Sequence, residues 1–122
     1  MRDLLEVDGD AVRLIGGFSP TSGQHHFPLA PVCPYSGADD VERVTLPTTG
    51  SLWAWTAVTT RPPGYEGTIP YGFGVVELDG IGLRVVGRLT ESDPNALRDG
   101  QPMRVVAEHI SDDLTVWAFS PA

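Results

Sequence analysis

The 122-residue sequence has no lysine, one cysteine and no long apolar run, and these absences narrow the possibilities at once. A single cysteine cannot form an internal disulfide, so the chain does not need an oxidising compartment. No segment approaches the ~20 apolar residues of a membrane helix, and the acidic start is too poor in apolar residues for a secretory signal. We therefore expect a soluble, cytoplasmic protein without a membrane partner.

Positive charge is also scarce. All eight basic residues are arginine, against sixteen acidic residues, which gives a formal net charge of -8. Long-range repulsion between this charge and phosphates disfavours nucleic acid as a partner. Fourteen glycines and eleven prolines favour short strands and turns over long helices, and the length suits one domain with a short appendage.

Residues 51–60, SLWAWTAVTT, predict a strand with two apolar faces. Strict alternation places one set of side chains on one face, namely Leu52, Ala54, Thr56 and Val58, and puts Trp53 and Trp55 on the other. Because both faces are substantially apolar, we expect this strand to curve through a barrel wall or to meet a partner.

Four further strands and one short helix follow. The helix is predicted between the third and fourth strands, where Asp93 can cap free amides and Pro94 suits the first helical position. This order is that of an all-β, five-stranded OB-fold barrel, whose closure removes exposed strand edges. The predicted interior comprises Leu52, Val58, Val75, Leu83, Val85, Leu89, Val105 and Val116.

The stretch from Gly16 to Gly37 contains two short repeats with the spacing of a zinc ribbon. It reads Ser-x-x-Ser-Gly, a spacer, and then Cys-Pro-x-Ser-Gly, with a glycine where each tight turn needs one. The four positions are Ser19, Ser22, Cys33 and Ser36, so only one of them carries sulfur.

Several motifs, in this order and spacing, resemble one known family. They are Leu14-Ile15-Gly16-Gly17, His26-Phe27-Pro28, Val32-Cys33-Pro34, Gly37-Ala38-Asp39-Asp40-Val41-Glu42, Gly50-Ser51-Leu52-Trp53-Ala54-Trp55-Thr56, Arg61-Pro62-Pro63-Gly64-Tyr65, Ile69-Pro70-Tyr71 and Gly100-Gln101-Pro102-Met103-Arg104-Val105. Over nearly its whole length the chain resembles the thiolase-associated zinc-ribbon/OB-fold proteins. These are also called acyl-CoA-associated OB-fold proteins and were formerly classed as a domain of unknown function.

The resemblance implies a ribbon remnant with an N-terminal arm over residues 1–42 and an OB-fold barrel over residues 43–122. In the family four cysteines hold zinc, and here three of those positions are serine. A serine hydroxyl is a poor zinc ligand at neutral pH because it does not present anionic sulfur. We therefore expect the ribbon topology to persist without zinc or another cofactor, and the arm to depend on a partner for order.

The resemblance also implies a function. Relatives act as small accessory subunits beside thiolase-fold proteins, which are thiolases, lipid-transfer-protein-like aldolases or acyltransferases. The chain is accordingly predicted to be a non-catalytic subunit of a hetero-oligomer whose partner forms or cleaves carbon–carbon bonds in acyl-CoA thioesters. Predicted partner contacts are Phe27, Tyr35, Trp53, Trp55, Arg61, Pro62, Pro63 and Tyr65, and Arg84 and Arg88 are candidate contacts for CoA phosphates.

Four alternatives remain open. His25, His26 and Cys33 could form a substitute metal site, although two loop histidines and a buried thiol are the simpler interpretation. Ser22, His25 and Asp39 could form a catalytic triad, but no nucleophile elbow accompanies them. The barrel could bind single-stranded nucleic acid through its aromatic residues, or it could be a stand-alone acyl-CoA binding module.

Overall fold

The first four strands form a small antiparallel sheet around one long strand. The computed structural model describes residues 5–8, 11–64, 69–111 and 114–122. The sheet contains β1 (Leu5–Asp8), β2 (Ala11–Ser19), β3 (Gln24–His26) and β4 (Glu42–Thr45). Each of β1, β3 and β4 pairs with β2, so this central strand fixes the position of the turns on either side of β3.

The remaining strands close a barrel. They are β5 (Thr49–Val58), β6 (Tyr71–Leu78), β7 (Arg84–Leu89), β8 (Pro102–Ser111) and β9 (Leu114–Pro121). The order around the barrel is β5-β6-β7-β9-β8, with β8 returning to β5 and β7 running parallel to β9. This arrangement confirms the predicted OB-fold barrel.

The predicted helix lies between β7 and β8, as a single 3-10 turn over Pro94–Ala96. The Asp93 side chain caps this turn by accepting a hydrogen bond from the backbone N–H of Asn95, which confirms the predicted start. Within the ranges described, no helix is long and apolar enough to cross a membrane.

A β-bulge in β5 changes which side chains face into the barrel. Leu52 and Ala54 pair with consecutive residues of β6, so Trp53 is the extra residue of the bulge. Both Trp53 and Ala54 therefore lie on the outer side, and Trp55 returns to the inner side. The predicted single face from Leu52 to Val58 is wrong, because strict alternation does not survive an inserted residue.

Glycines occupy the inner side of β6. A Cβ atom at Gly74 would lie 2.6 Å from the carbonyl oxygen of Ala54, so the narrow barrel has no room for a larger residue there. Since side chains alternate along a strand, this places the bulky Phe73 and Val75 on the outside, while Val76 is fully buried.

The predicted interior is correct in part. Four of its residues are buried, namely Leu52, Val85, Leu89 and Val105. Three others are only half-buried and face outward, namely Val58, Val75 and Val116. Leu83 is half-buried and packs against the core. The structure adds Val76, Leu78, Met103 and Phe119 to the interior.

One hydrophobic core joins the small sheet to the barrel. Val12, Leu14 and Leu46 belong to the same buried cluster as Leu52 and Phe119. Strand β4, which straddles the predicted division between residues 1–42 and 43–122, pairs with β2. The division into two domains stays a prediction.

Candidate functional site

Two tight turns bring the four ribbon positions together. The first turn is closed by a hydrogen bond of 2.7 Å from the Gly23 N–H to the Ser19 carbonyl. The second is closed by a hydrogen bond of 2.9 Å from the Gly37 N–H to the Cys33 carbonyl. Both glycines have positive φ, 69° and 77°, which favours glycine over any residue with a Cβ atom. The spacing therefore predicted both turns correctly.

The side chains at the four positions converge. Ser22 Oγ lies 3.5 Å from Cys33 Sγ, and the Ser36 hydroxyl also hydrogen-bonds the thiol. The Ser22 N–H donates to Ser19 Oγ at 3.4 Å. Cys33 is 1% exposed and Ser19 is fully buried, so the centre of this cluster is closed to solvent.

Asp40 links the two turns, and sequence reasoning did not identify it as a site residue. Its carboxylate accepts hydrogen bonds from Ser19 Oγ at 2.7 Å, Thr21 Oγ1 at 2.7 Å and the Thr21 N–H at 2.9 Å. A carboxylate that follows the second turn is thus tied to the first turn by three hydrogen bonds.

These hydrogen bonds set the acidities of the cluster. Donation from the Ser22 hydroxyl, and then from that of Ser36, lowers the pKa of Cys33 from 9.0 to about 6, against the opposing effect of burial. The hydroxyl of Thr21, then that of Ser19, and the Thr21 amide hold the pKa of Asp40 below its usual range. At neutral pH both groups are therefore anionic acceptors surrounded by donors.

The donor set does not fit a structural zinc ion. Zinc in closed structural sites takes four sulfur or nitrogen ligands, and this cluster offers one sulfur and three hydroxyls. Over the part of the chain that the structure describes, no group of three or more His, Cys, Asp or Glu side chains could hold a metal ion. The absence of zinc in the isolated protein stays a prediction.

The two histidines have separate environments. The His25 ring packs on Phe18 with a centroid separation of 4.7 Å. His26 is 2% exposed, and its Nε2 accepts a hydrogen bond of 3.4 Å from the Ala30 N–H. The alternative catalytic triad of Ser22, His25 and Asp39 has no support from these contacts, because Ser22 approaches Cys33 and His25 packs on Phe18.

The segment from Leu29 to Tyr35, which is the part of the N-terminal arm that leads into the second turn, presents apolar side chains to solvent. Leu29, Val32 and Tyr35 are exposed by 36%, 43% and 57%. Tyr35 also lines an open pocket of about 350 Å³ between the first turn and the β6–β7 connection, together with His25 and Ile81. Three exposed large apolar residues within seven positions are typical of a surface that contacts another protein.

Two of the predicted interface residues pack within the molecule. Phe27 meets Trp117 edge to face with centroids 5.4 Å apart, and it packs against the core. Trp55 also packs against the core, and its indole N–H donates to the Pro94 carbonyl at 2.9 Å. An interface role for either residue stays a prediction, and the surface proposed below does not depend on them.

The outer face of β5, β6 and β7 carries a second apolar surface. Register pairs Ala54 with Val75, and Val75 with Val86, so these three side chains form a row across the strands. The neighbouring row contains Phe73, which is 39% exposed, and the bulge residue Trp53 is 51% exposed. Sequence reasoning missed Phe73 and Val86, although the glycines that alternate with Phe73 were a usable signal.

Both candidate CoA-binding arginines lie on this face and stack on its aromatic rings. The Arg84 guanidinium lies 4.2 Å from the centroid of the Trp53 ring, and that of Arg88 lies 4.3 Å from the Tyr71 ring. Arg88 also reaches across β9 to form an ion pair with Glu108 at 2.5 Å. The arginines therefore hold aromatic side chains in place.

The proline loop joins β5 to β6. Arg61 and Pro63 are exposed and Pro62 is half-buried, so this part of the loop is available to a partner. Tyr65, the fourth predicted contact in the loop, lies outside the described residues. A recognition role for the loop stays a prediction.

Fold and site together define an OB-fold barrel fused through one core to a small ribbon-like sheet. The family described as the C-terminal OB-fold domain of ChsH2 matches residues 43–108, more than half of the chain. A DUF35 domain-containing scaffold protein of Pyrococcus furiosus is 32% identical over 100 residues, which span 82% of this chain and 72% of that protein. The chain belongs to this DUF35 family of OB-fold proteins, which confirms the resemblance.

Two further proteins are similar. A solved structure, the Ltp2-ChsH2(DUF35) aldolase, contains a chain that superposes with a TM-score of 0.72 at 26% identity, covering 89% of this chain and 84% of that one. A probable enoyl-CoA hydratase alpha subunit of Thermomonospora curvata is 30% identical over 95 residues, which span 78% of this chain but only 29% of that protein.

Proposed function

We propose that this protein is a non-catalytic accessory subunit that binds a thiolase-like or lipid-transfer-protein-like partner. The observation that carries the proposal is the match to the DUF35 chain of an aldolase whose name joins it to Ltp2. The match extends over 89% of this chain and includes both the barrel and the small sheet. The name "scaffold protein" of the Pyrococcus furiosus relative supports the same role.

The surface of the molecule is compatible with that role. The chain carries a net charge of -8, yet its arm exposes Leu29, Val32 and Tyr35 to solvent. Leaving such side chains in water gives up the ~25 cal/mol per Å² that burial of apolar area provides. A partner that covers the arm recovers this free energy and would also supply the order predicted for it.

The substrate class belongs to the partner. We propose that the partner forms or cleaves a carbon–carbon bond in an acyl-CoA thioester. The aldolase relative supports the carbon–carbon chemistry, and the relative named as a probable enoyl-CoA hydratase subunit supports only the CoA thioester. The partner would provide the catalytic groups. The subunit would contribute a docking surface, and Arg84 and Arg88 could reach CoA phosphates only from the outer barrel face.

Co-expression tests the proposal. The protein is produced with a candidate thiolase-fold protein, and in parallel with Ltp2. Each mixture is then examined by size-exclusion chromatography with light scattering. We expect one co-eluting species whose mass requires both chains, and aldolase or thiolase activity in that peak. Two separate peaks with each candidate, one of them fully active alone, would refute the accessory role.

A further inference from the structure

We propose that the outer face of β5, β6 and β7 is a docking surface for the partner subunit, and that it receives an apolar side chain flanked by a carboxylate. This inference rests on the proposed function and names the surface and its chemistry. The surface, here called the Trp53 face, is defined by Trp53, Ala54, Phe73, Val75, Arg84 and Val86.

The inside of the barrel decides which residues of β6 and β7 lie on the Trp53 face. Gly74 has no space for a side chain, and Val76 and Leu78 fill the interior, so the residues that alternate with them face outward. Phe73 and Val86 are consequently exposed by 39% and 48%. Nothing in barrel closure requires the outward residues to be apolar, because a solvated OB-fold face accepts threonine or charged residues equally well.

A shallow groove on the Trp53 face suits a single apolar side chain. The groove has a volume of about 210 Å³ and is lined by β5 and β6, with Phe73 and Val75 on one side and Ala54 and Thr56 on the other. It begins beside the bulge, so Trp53 stands next to it. A rigid tryptophan beside an apolar groove is typical of the central anchor of a protein interface.

Charge selects the kind of partner. Arg84 is half-exposed over the Trp53 ring, and the nearest oxygen of Glu77 lies 3.9 Å from its Nε, which is beyond hydrogen-bonding distance. The guanidinium can therefore donate to a carboxylate on a partner while its face remains on the indole. Arg84 already forms a long ion pair with Glu77, so a carboxylate of the partner placed within hydrogen-bonding distance would be a closer acceptor for the guanidinium than Glu77 is.

A second copy of the chain is a poor occupant of the Trp53 face. Arg84 and Arg88 lie at the two ends of β7, so a two-fold arrangement of two such faces brings arginine against arginine. The negative charge of the remaining surface also opposes self-association. The partner subunit of the proposed function is therefore the occupant to which we commit.

Substitutions on the Trp53 face test the inference. Trp53→Ser and Phe73→Ser each remove an exposed apolar side chain, and Arg84→Glu reverses the charge at the edge. Arg104→Glu is the matched control, since Arg104 is exposed on β8, away from β6 and β7. Each variant is titrated by interferometry and calorimetry against the partner that binds the parent protein in co-expression. The melting temperature and circular dichroism of each variant are measured without the partner.

We expect the dissociation constant to rise about thirtyfold for Trp53→Ser, which corresponds to the 2 kcal/mol threshold of an interface hot spot, and about tenfold for Phe73→Ser. Arg84→Glu should slow association, and the slowing should diminish at high salt because exposed charges are screened. Arg104→Glu should bind like the parent, and all variants should melt within a few degrees of it.

The outcomes separate this inference from the proposed function. If the parent protein binds the partner and the three variants bind equally well, the Trp53 face is not the docking surface, while the accessory role stands. If the parent binds neither the candidate thiolase-fold protein nor Ltp2, both proposals fail. Concentration-dependent dimerisation of the protein alone that Trp53→Ser abolishes would overturn the inference in favour of a second copy.

Discussion

The ribbon cluster should accept zinc once sulfur is restored at its three serine positions. A tetrahedral zinc ion with Zn–S bonds of ~2.3 Å places its sulfur atoms about 3.8 Å apart. Ser22 Oγ and Cys33 Sγ are already 3.5 Å apart, and both turns have the glycine-closed geometry of a zinc knuckle. The variant Ser19→Cys/Ser22→Cys/Ser36→Cys should therefore bind one zinc ion with little movement of the backbone.

The stabilisation that zinc should give the triple variant follows from the linkage between ligand binding and folding. A ligand that binds only the folded state at a free concentration a thousandfold above its Kd contributes about 4 kcal/mol. For a chain of this size, about 3–5 °C of melting temperature corresponds to 1 kcal/mol, so zinc should raise the Tm of the triple variant by about 12–20 °C. Structural zinc in finger peptides is worth more, about 10–16 kcal/mol, because there it also supplies the folding that the rest of the sheet and the two Thr21–Asp40 hydrogen bonds, which the variant keeps, provide here.

Cobalt replacement makes the assay direct. The triple variant with one equivalent of Co²⁺ should show the visible absorption of a tetrahedral tetrathiolate site, and zinc should displace it. The double variant that keeps Ser36 serves as the control and should bind more weakly. The parent protein should show neither the absorption nor a zinc-dependent Tm. Stoichiometric zinc in the parent, or no cobalt spectrum in the triple variant, would refute the reasoning.

Three further predictions concern the same structure. Asp40→Ala should destabilise the small sheet, which would be measured as faster hydrogen exchange in β2 and β3. Asp39→Ala should not, because the three hydrogen bonds to the first turn are accepted by Asp40. Equal exchange rates in the two variants would contradict the cross-link. Folding lowers the pKa of Cys33 from 9.0 to about 6, so the contribution of this thiol to stability is full above pH 9 and is lost as the pH falls through about 6. The urea midpoint should therefore rise with pH between these values, and Cys33→Ser should flatten the rise. A thiolate absorbance of the native protein that titrates near pH 9 would disprove this prediction. Gly74→Ala should lower the free energy of unfolding in urea by about 1–3 kcal/mol, because the new Cβ atom would collide with the Ala54 carbonyl oxygen. The control Thr56→Ala, on the exposed face, should change this free energy by less than about 0.5 kcal/mol. A Gly74→Ala variant as stable as the parent would show that the interior can expand.

Much of the architecture was readable from the sequence because it depends on local signals. The five barrel strands, the Asp93 cap and the two glycine-closed turns each depend on a few neighbouring residues, and all are present in the structure. The OB-fold class followed from five predicted strands with one short helix between the third and the fourth. These features depend on local backbone geometry, which requires particular residue types such as glycine at positive φ or aspartate at a helix start.

The facing of the barrel strands was harder to predict. The bulge at Trp53 leaves no signal in a run of apolar residues, and a single inserted position reverses every side chain after it. On β6, Val75 was predicted as an interior residue, but the barrel is so narrow that only Gly74 fits at that level. Interior space is a property of the closed sheet as a whole, so no window of the sequence contains it.

The Asp40 cross-link was missed for a related reason. Asp40 follows the second turn, whereas its donors Ser19 and Thr21 belong to the first, about twenty positions earlier. Its neighbour Asp39 was as plausible from composition alone. Only the pairing of β2 with both β3 and β4 brings the right carboxylate to those hydroxyls.

Strand β9 lies between β7 and β8 in the barrel, and this location governs the order in which the chain can acquire its shape. All three strands that pair with β2 precede the barrel strands in sequence, whereas closing the barrel requires β9 to pair with β7 and β8, and β8 to pair with β5. On a translating ribosome the small sheet can therefore form early, while the barrel must wait for its last strand. Until β9 is present, the edges of β7 and β8 that it covers have no partner strand, and such edges are the part of the barrel most exposed to pairing with other chains.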